Sequence, residues 1–314
     1  MERPRTKNEN INDHQHSKLE KLILLARNMG VDLSYEADLI QQKIDEYQTP
    51  TVWQRVLMNR DILRPRAEDY IKAICEEWIE LHGDRCFGDD SAVIGGIGKF
   101  NAMPITILGY RKGKSTEDNI KNNFGMSHPE GFRKINRLLL QAAKFHRPVL
   151  TLIDTPGAHS GRAAEERGQA WAISQVISTM CTLKVPVISL FTGEGGSGGA
   201  LALAISDRLL MLSNAMFSIA SPEVCASILL KDVGRAEEVV SAMKITSADL
   251  YDLGLVSEVI DEPIGGANRD FDLTVLRVRK SLQKHYDELL SRDIEDLMEE
   301  RYAKLRRIGI YIES

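Results

Sequence analysis

Apolar and polar positions along this chain follow two rhythms, and the change between them divides it into elements. From Lys18 to about Tyr47 the apolar residues recur at helical spacing, as Leu19, Leu22, Ile23 and Ala26, then Leu39, Ile40 and Ile44. Gly30 and the Val-Asp-Leu-Ser after it predict a break between two helices, with Ser34 capping the second. The residues before them, Met1 to about Ser17, are polar and predict a mobile tail. After Arg64-Pro65 the pattern predicts a helix from about Ala67 to Leu81. Val93–Phe100 and Met103–Tyr110 then read as strands joined by a turn at Asn101-Ala102. Helical spacing returns from Gly131 to Phe145, and Pro148 to Ile153 reads as a short buried strand. A second apolar run, Val185 to Phe191, leads into Gly193-Glu194-Gly195-Gly196-Ser197-Gly198-Gly199-Ala200 and a helix-like run, Leu201 to Ile205. Leu273–Leu290 and Ile294–Ile308 read as two charged amphipathic helices.

The middle of the chain therefore repeats strand, glycine-bearing loop, helix. The first loop is Asp154-Thr155-Pro156-Gly157-Ala158 and the second is the glycine run. Strands alternating with helices imply an α/β fold, with a mainly parallel sheet or layered superhelix and right-handed crossovers. Two regions are expected: 1–64, a polar tail and helical arm, and 65–314, a larger domain that includes the C-terminal helices.

Composition narrows the partners. The 314 residues are 43% hydrophobic and 27% charged, as in an ordinary globular protein. A net charge of −5 argues against a general nucleic-acid binder. The basic stretch Arg111-Lys112-Gly113-Lys114 suits a phosphorylated ligand or a solvated loop equally. Cys75, Cys86, Cys181 and Cys225 lack the spacing of a zinc ribbon or a disulfide framework. With no apolar signal core and no run of membrane-spanning length, the expected location is the cytoplasm.

The glycine run carries the chemistry. Five glycines between a strand and a helix remove every Cβ from a place where backbone approaches something closely. A helix N-terminus also offers unpaired N–H groups and the positive end of a dipole, so an oxyanion is its natural guest. Gly195-Gly196-Ser197-Gly198-Gly199 formally matches a nucleophile elbow, which would make Ser197 a hydrolase nucleophile with His159 as a candidate base. Asp154-Thr155-Pro156-Gly157 resembles the magnesium-side loop of a GTPase, but the phosphate loop that must accompany it is absent. A dinucleotide site lacks its acidic residue on a following strand. The remaining reading uses both loops to present N–H groups to a developing negative oxygen, as chemistry on thioesters requires.

Several segments together resemble one family, the α subunit of the carboxyltransferase component of bacterial acetyl-CoA carboxylase. They are Leu81-His82-Gly83-Asp84-Arg85, Asn123-Phe124-Gly125-Met126, Pro129-Glu130-Gly131-Phe132-Arg133-Lys134, Ile153 to Ala158, Ala164 to Gln169, the glycine run, Ser221-Pro222-Glu223 and Glu262 to Ala267. The match covers roughly residues 50 to 312. The resemblance implies a crotonase-type fold of layered ββα units, with an N-terminal helical arm, C-terminal helices and half of an active site. A β subunit would supply the other half, with the acyl-CoA pocket and a zinc ribbon, in an α2β2 assembly that meets biotin carboxylase and the biotin carboxyl carrier protein. Carboxybiotin on that carrier would enter the α side, where the N–H groups of Gly198 and Gly199 would hold its ureido oxygen. The acetyl-CoA enolate would then take the carboxyl group to give malonyl-CoA, the committed step of fatty-acid synthesis. Gly195, Gly196 and Ala200 would shape that loop, Gly157, Ala158 and His159 would line the biotin cleft, and Glu165, Glu166 and Arg167 would brace it by pairing or lie solvated at a helix start. No membrane and no metal in this chain are expected.

The chain departs from the family pattern at His159-Ser160-Gly161 (usually Tyr-Pro-Gly), at Tyr110 and Asn268 (usually histidine) and at Val224 (usually glycine). These departures keep other readings open: a diverged paralogue for another acyl-CoA, a non-catalytic assembly subunit, or the Ser197 hydrolase.

Overall fold

The computed structural model describes residues 50–309, so the two helices expected within residues 18–47 and the polar tail lie outside the described residues. One compact unit begins at Thr51, earlier than the boundary expected at residue 64. The reason is that residues 51–64 are tied into the sheet domain. Helix α1, Val52–Arg60, starts at a capping box in which Thr51 and Gln54 exchange hydrogen bonds of 3.1 and 2.7 Å. Asn59, fully buried near its end, donates to the Asn214 carbonyl at 2.8 Å.

Helix α2, Ala67–Ile74, is shorter than its apolar spacing predicts. The expected continuation to Leu81 turns out instead into strand β1, Trp78–Glu80, which pairs antiparallel with Gly96–Gly98. Tertiary pairing overrides helical spacing there. Strands β2, Val93–Phe100, and β3, Met103–Tyr110, form the expected hairpin, with both turn residues, Asn101 and Ala102, at positive φ. After helix α3, Thr116–Lys121, and a short 3-10 turn at Asn123–Gly125, helix α4, Pro129–Lys144, packs on β2 and β3. Strand β4, Val149–Thr155, is buried along its whole length, as a strand covered on both faces must be.

Helices α5, Arg162–Glu166, and α6, Gln169–Thr182, lead to strand β5, Val187–Gly196, and helix α7, Ser197–Ala204. The glycine run is thus no loop. Its first part continues the strand and its second part opens the helix. The chain closes with strand β6, Arg208–Leu212, strand β7, Met216–Ser218, helices α8, Pro222–Leu230, α9, Ala236–Val240, and α10, Ser247–Asp252, strand β8, Glu258–Ile260, and helices α11, Phe271–Leu290, and α12, Ile294–Arg306.

The strands lie in the order β1-β2-β3-β4-β5-β6-β8, antiparallel from β1 to β3 and parallel from β3 to β8. Short β7 pairs off this path with Glu194–Gly196, the tip of β5 beyond the reach of β6. The parallel strands bring the C-terminal ends of β4 and β5 together, which is where ligands of open α/β sheets sit. The core fills both sides of these strands, with Leu138 and Phe132 of α4, Val176 and Met180 of α6, Leu203 of α7 and Leu282 of α11 all fully buried.

Candidate active site

The site forms where the end of β4 meets the start of α7. Ser197 holds φ +45°, so a strand turns directly into a helix, and Ser197 is exposed. Ser197, Gly198 and Gly199 form the first helical turn, whose N–H groups have no carbonyl within the helix to receive them. No side chain caps this turn. The glycines beside it answer to contact. A Cβ on Gly196 would stand 1.9 Å from the Pro156 carbonyl oxygen, and one on Gly199 would stand 2.7 Å from the Ala158 nitrogen and the Gly157 carbonyl carbon. Gly195 is filled from the other side by Phe191, 2.1 Å from such a Cβ. Gly198 differs: a Cβ there would meet only Ile173, at 4.0 Å. Ala200 is fully buried and Gly157, at φ +149°, adopts a conformation that disfavours side chains.

The Gly157–Ala158 wall is fixed by hydrogen bonds. The Thr155 hydroxyl accepts the Gly157 N–H at 3.1 Å and shares its single proton between the carbonyls of Gly125, 2.7 Å away, and Gly157, 2.9 Å away. The Tyr110 hydroxyl donates to the Gly199 carbonyl, so this departure ties β3 to α7. Complete burial pushes the Tyr110 phenol far up, which keeps it a neutral donor. His159 donates its backbone N–H to Ser127 at 2.9 Å, and its ring lies 4.3 Å from that of His128.

Beneath the glycine run lies a charge network. Asp154, 1% exposed, accepts from Arg66 at 2.8 Å, Lys112 at 2.8 Å and the Glu194 N–H at 3.1 Å. Burial works against its charge, but Lys112 and Arg66 outweigh it and hold the carboxyl below its ordinary range. Lys112 also reaches Glu194 at 3.0 Å. A Cβ on Gly193 would strike the Asp154 carboxylate at 2.5 Å, so that glycine is needed for the network to exist. Arg60 pairs with Glu223, whose carboxyl its hydrogen bond pulls down to about 2. Arg64 grips Glu262 through two hydrogen bonds of 2.9 Å, with both side chains buried. A cavity of about 270 Å³ opens over this network, lined by Arg60, Arg66, Lys112, Phe124, Pro156 and Glu194.

Several expected roles change in this setting. Glu165, Glu166 and Arg167 do not brace the cleft by pairing with one another: Arg167 pairs with Glu130 at 3.0 Å, Glu166 with Arg162 at 2.7 Å, and Glu165 is exposed. Val224 lies inside α8 at negative φ, so its branched side chain is not strained. Asn268 donates to Asp61 at 3.2 Å. Ser197 has the elbow geometry, but the His159 ring is turned to Asn123 rather than to Ser197, and the neighbouring acid, Asp90, faces His128. The sequence does not single out Arg66, Glu194 or Tyr110 as site residues, and it offers Lys112 only as part of a basic stretch for a phosphorylated ligand, whereas the side chain turns to Asp154 and Glu194. The clearest signal is Asp154, the one charged residue in an otherwise uncharged, wholly buried strand.

Residues 7–309 match the acetyl co-enzyme A carboxylase carboxyltransferase-like family. The chain belongs to that family. It is 60% identical over 297 residues to the acetyl-coenzyme A carboxylase carboxyl transferase subunit alpha of Syntrophomonas wolfei, covering 93% of each chain. It is 49% identical to the protein of the same name from Carboxydothermus hydrogenoformans, over 93% of this chain and 92% of that one. Among solved structures, the transcarboxylase 12S core superposes with a TM-score of 0.60 at 16% identity, covering 78% of this chain and 45% of that one. A chain of a Pseudomonas malonate decarboxylase hetero-tetramer in complex with coenzyme A gives 0.60 at 18% identity, covering 76% and 95%. These likenesses bear out the crotonase-type fold. Among the described residues, no helix is long and apolar enough to cross a membrane, and no group of three His, Cys, Asp or Glu residues could hold a metal ion.

Proposed function

We propose that this chain is the α half of an acetyl-CoA carboxyltransferase and that the first turn of α7 is its oxyanion site. One observation carries the assignment of the site: an uncapped helical turn in which Gly196 and Gly199 pack against the Pro156–Ala158 backbone too closely for a side chain. Carboxybiotin on a separate carrier protein supplies the activated carboxyl group. The residues fit its ureido oxygen, because the N–H groups of Gly198 and Gly199 meet negative charge that grows on that oxygen as the carboxyl group leaves. Donors fixed in place favour the charged transition state over the neutral ground state. Gly157 and Ala158 form the facing wall, with His159 beside them, and Gly195, Gly196 and Ala200 hold the turn at its distance. The charge network below is balanced, two cations against Asp154 and Glu194, so it leaves the positive end of the helix unneutralised. Acetyl-CoA is the acceptor and malonyl-CoA the product. A β subunit completes the site, in an α2β2 assembly served by biotin carboxylase and the biotin carboxyl carrier protein in the cytoplasm, and any zinc belongs to that partner.

The test is malonyl-CoA decarboxylation with biocytin as carboxyl acceptor, using this chain co-purified with its β partner. Biocytin-dependent turnover that disappears in Gly199→Pro while the complex still assembles is the expected result. Full turnover in that variant would remove the oxyanion assignment, and no turnover from the assembled parent complex would favour the assembly-subunit reading.

A further inference from the structure

The pair of histidines beside the cleft is built asymmetrically. The Asn123 amide nitrogen donates to the Met126 carbonyl at 2.7 Å, and a carbonyl can only accept, so that atom is fixed as the nitrogen. The same nitrogen lies 3.0 Å from His159 Nδ1. His159 Nδ1 must therefore carry the lone pair, and the imidazole is neutral with its proton on Nε2. The Asn123 turn is itself strained, with Asn123 and Phe124 at φ +46° and +55°, so the side-chain contacts hold it in a conformation it would otherwise leave. Gln169 Nε2 joins the same assembly, donating to the carbonyls of Ser127 at 2.8 Å and His159 at 2.9 Å.

We propose that His159 is a positioning residue: neutral, it clamps the Gly157–Ala158 wall of the cleft to the Asn123–Gly125 turn, and protonation opens that clamp. A proton on Nδ1 would set an N–H against the Asn123 NH2 group and remove the hydrogen bond. It would also place a cation beside the His128 ring, 4.3 Å away. The groups that face His159 are His128 and Glu130 at the start of α4, Arg167 before α6, Asp90 before β2, and Asn123. Burial and His128 push the His159 imidazole below its ordinary value of 6.5, while the Asp90 hydrogen bond raises that of His128. The two rings are thus biased in opposite directions, His159 towards the neutral form and His128 towards the charged one, and acid is what disturbs the arrangement.

This inference rests on the carboxyltransferase reading for its effect on turnover, but not for its spectroscopic signature. Long-range 1H–15N correlation on the full chain, with His159 assigned by its loss in His159→Gln, reads the tautomer directly. The expected result is an unprotonated Nδ1 at neutral pH and a titration below the ordinary histidine value. A protonated Nδ1 at neutral pH, or a titration at or above that value, would overturn the proposal. The second readout is biotin-dependent turnover of the assembled complex at about pH 8 and at a pH below the His159 titration seen by NMR. The neutral fraction falls roughly tenfold per pH unit below the pKa, so the parent should lose more of its own pH 8 turnover there than His159→Gln, whose amide accepts from Asn123 without titrating. Equal acid limbs in the two proteins would also overturn it. If the parent complex shows no turnover, the carboxyltransferase reading fails while the tautomer still decides the clamp.

Discussion

The two ends of strand β5 are each served by a buried arginine, and the two arginines are treated differently. Arg301, 1% exposed, uses its whole fork. It grips both oxygens of Asp207 at 2.7 and 2.8 Å and donates to the carbonyls of Met180, Leu183 and Val185. Asp207 in turn accepts the N–H of Val187, where β5 begins. Arg66, 3% exposed, donates to Asp154 and to the Asp61 carbonyl, and its Nε is buried with no partner. Asp154 divides itself among two cations and a backbone N–H at the other end of the strand. The closed ion pair anchors the strand. The shared, incompletely satisfied one supports the turn proposed as the oxyanion site, and an unspent donor is a cost that stability alone would not retain.

The comparison breaks most sharply at the site end. Gly199→Ala forces a methyl group onto the Gly157–Ala158 backbone and should lower biotin-dependent turnover by about 10²–10³-fold, the loss typical of a displaced oxyanion donor. Gly198→Ala, with open space for its methyl group, should stay within a few-fold of the parent in the same assay. At the anchored end Asp207→Asn leaves Arg301 buried without its counter-charge. It should cost about 3–5 kcal/mol in urea unfolding, while turnover per folded complex is retained. A smaller effect follows from Glu258, which a hydrogen bond from His285 pulls down to about 2. Its folded pKa lies below the ordinary 4.5, so its stabilisation is present above that value and is lost as pH falls towards about 2. Melting temperatures of the parent and Glu258→Gln should therefore differ near neutrality and converge in acid; a constant difference would show that the carboxylate charge is not what Glu258 contributes.

The sequence made the elements legible where apolar period and length agreed: the β2–β3 hairpin, the starts of β4 and β5, α4, and the two C-terminal helices. Short strands escaped it. β1, β7 and β8 have three residues each, and pairing rather than composition makes them strands. The glycines of the site were readable because they are absences of side chain clustered in one stretch. Their supports were not, since Arg66 and Asp154 stand 88 residues apart, Lys112 and Glu194 82, and Tyr110 and Gly199 89. Local charge, as in Arg111-Lys112-Gly113-Lys114, signalled only that cations were present. It took the fold to show that Lys112 turns inward to Asp154 and Glu194 while Lys114 pairs with Asp69.

The handover of β5 from β6 to β7 has a consequence in time as well as in space. Ile188 to Phe191 pair on one side with β4 and on the other with β6, within the wholly buried part of the sheet. Glu194 to Gly196 pair with a strand of only three residues, fastened further by a single bridge from Met216 to Thr246. Amide protons in the first half can exchange with solvent only when the domain opens as a whole, whereas on the outer side of the second half only β7 need lift, the inner side being held by Asp154 on the Glu194 N–H and by the pairing of Gly195 with Thr155. One continuous strand therefore keeps two clocks, a slow one for the scaffold and a faster one for the tip that carries the glycines.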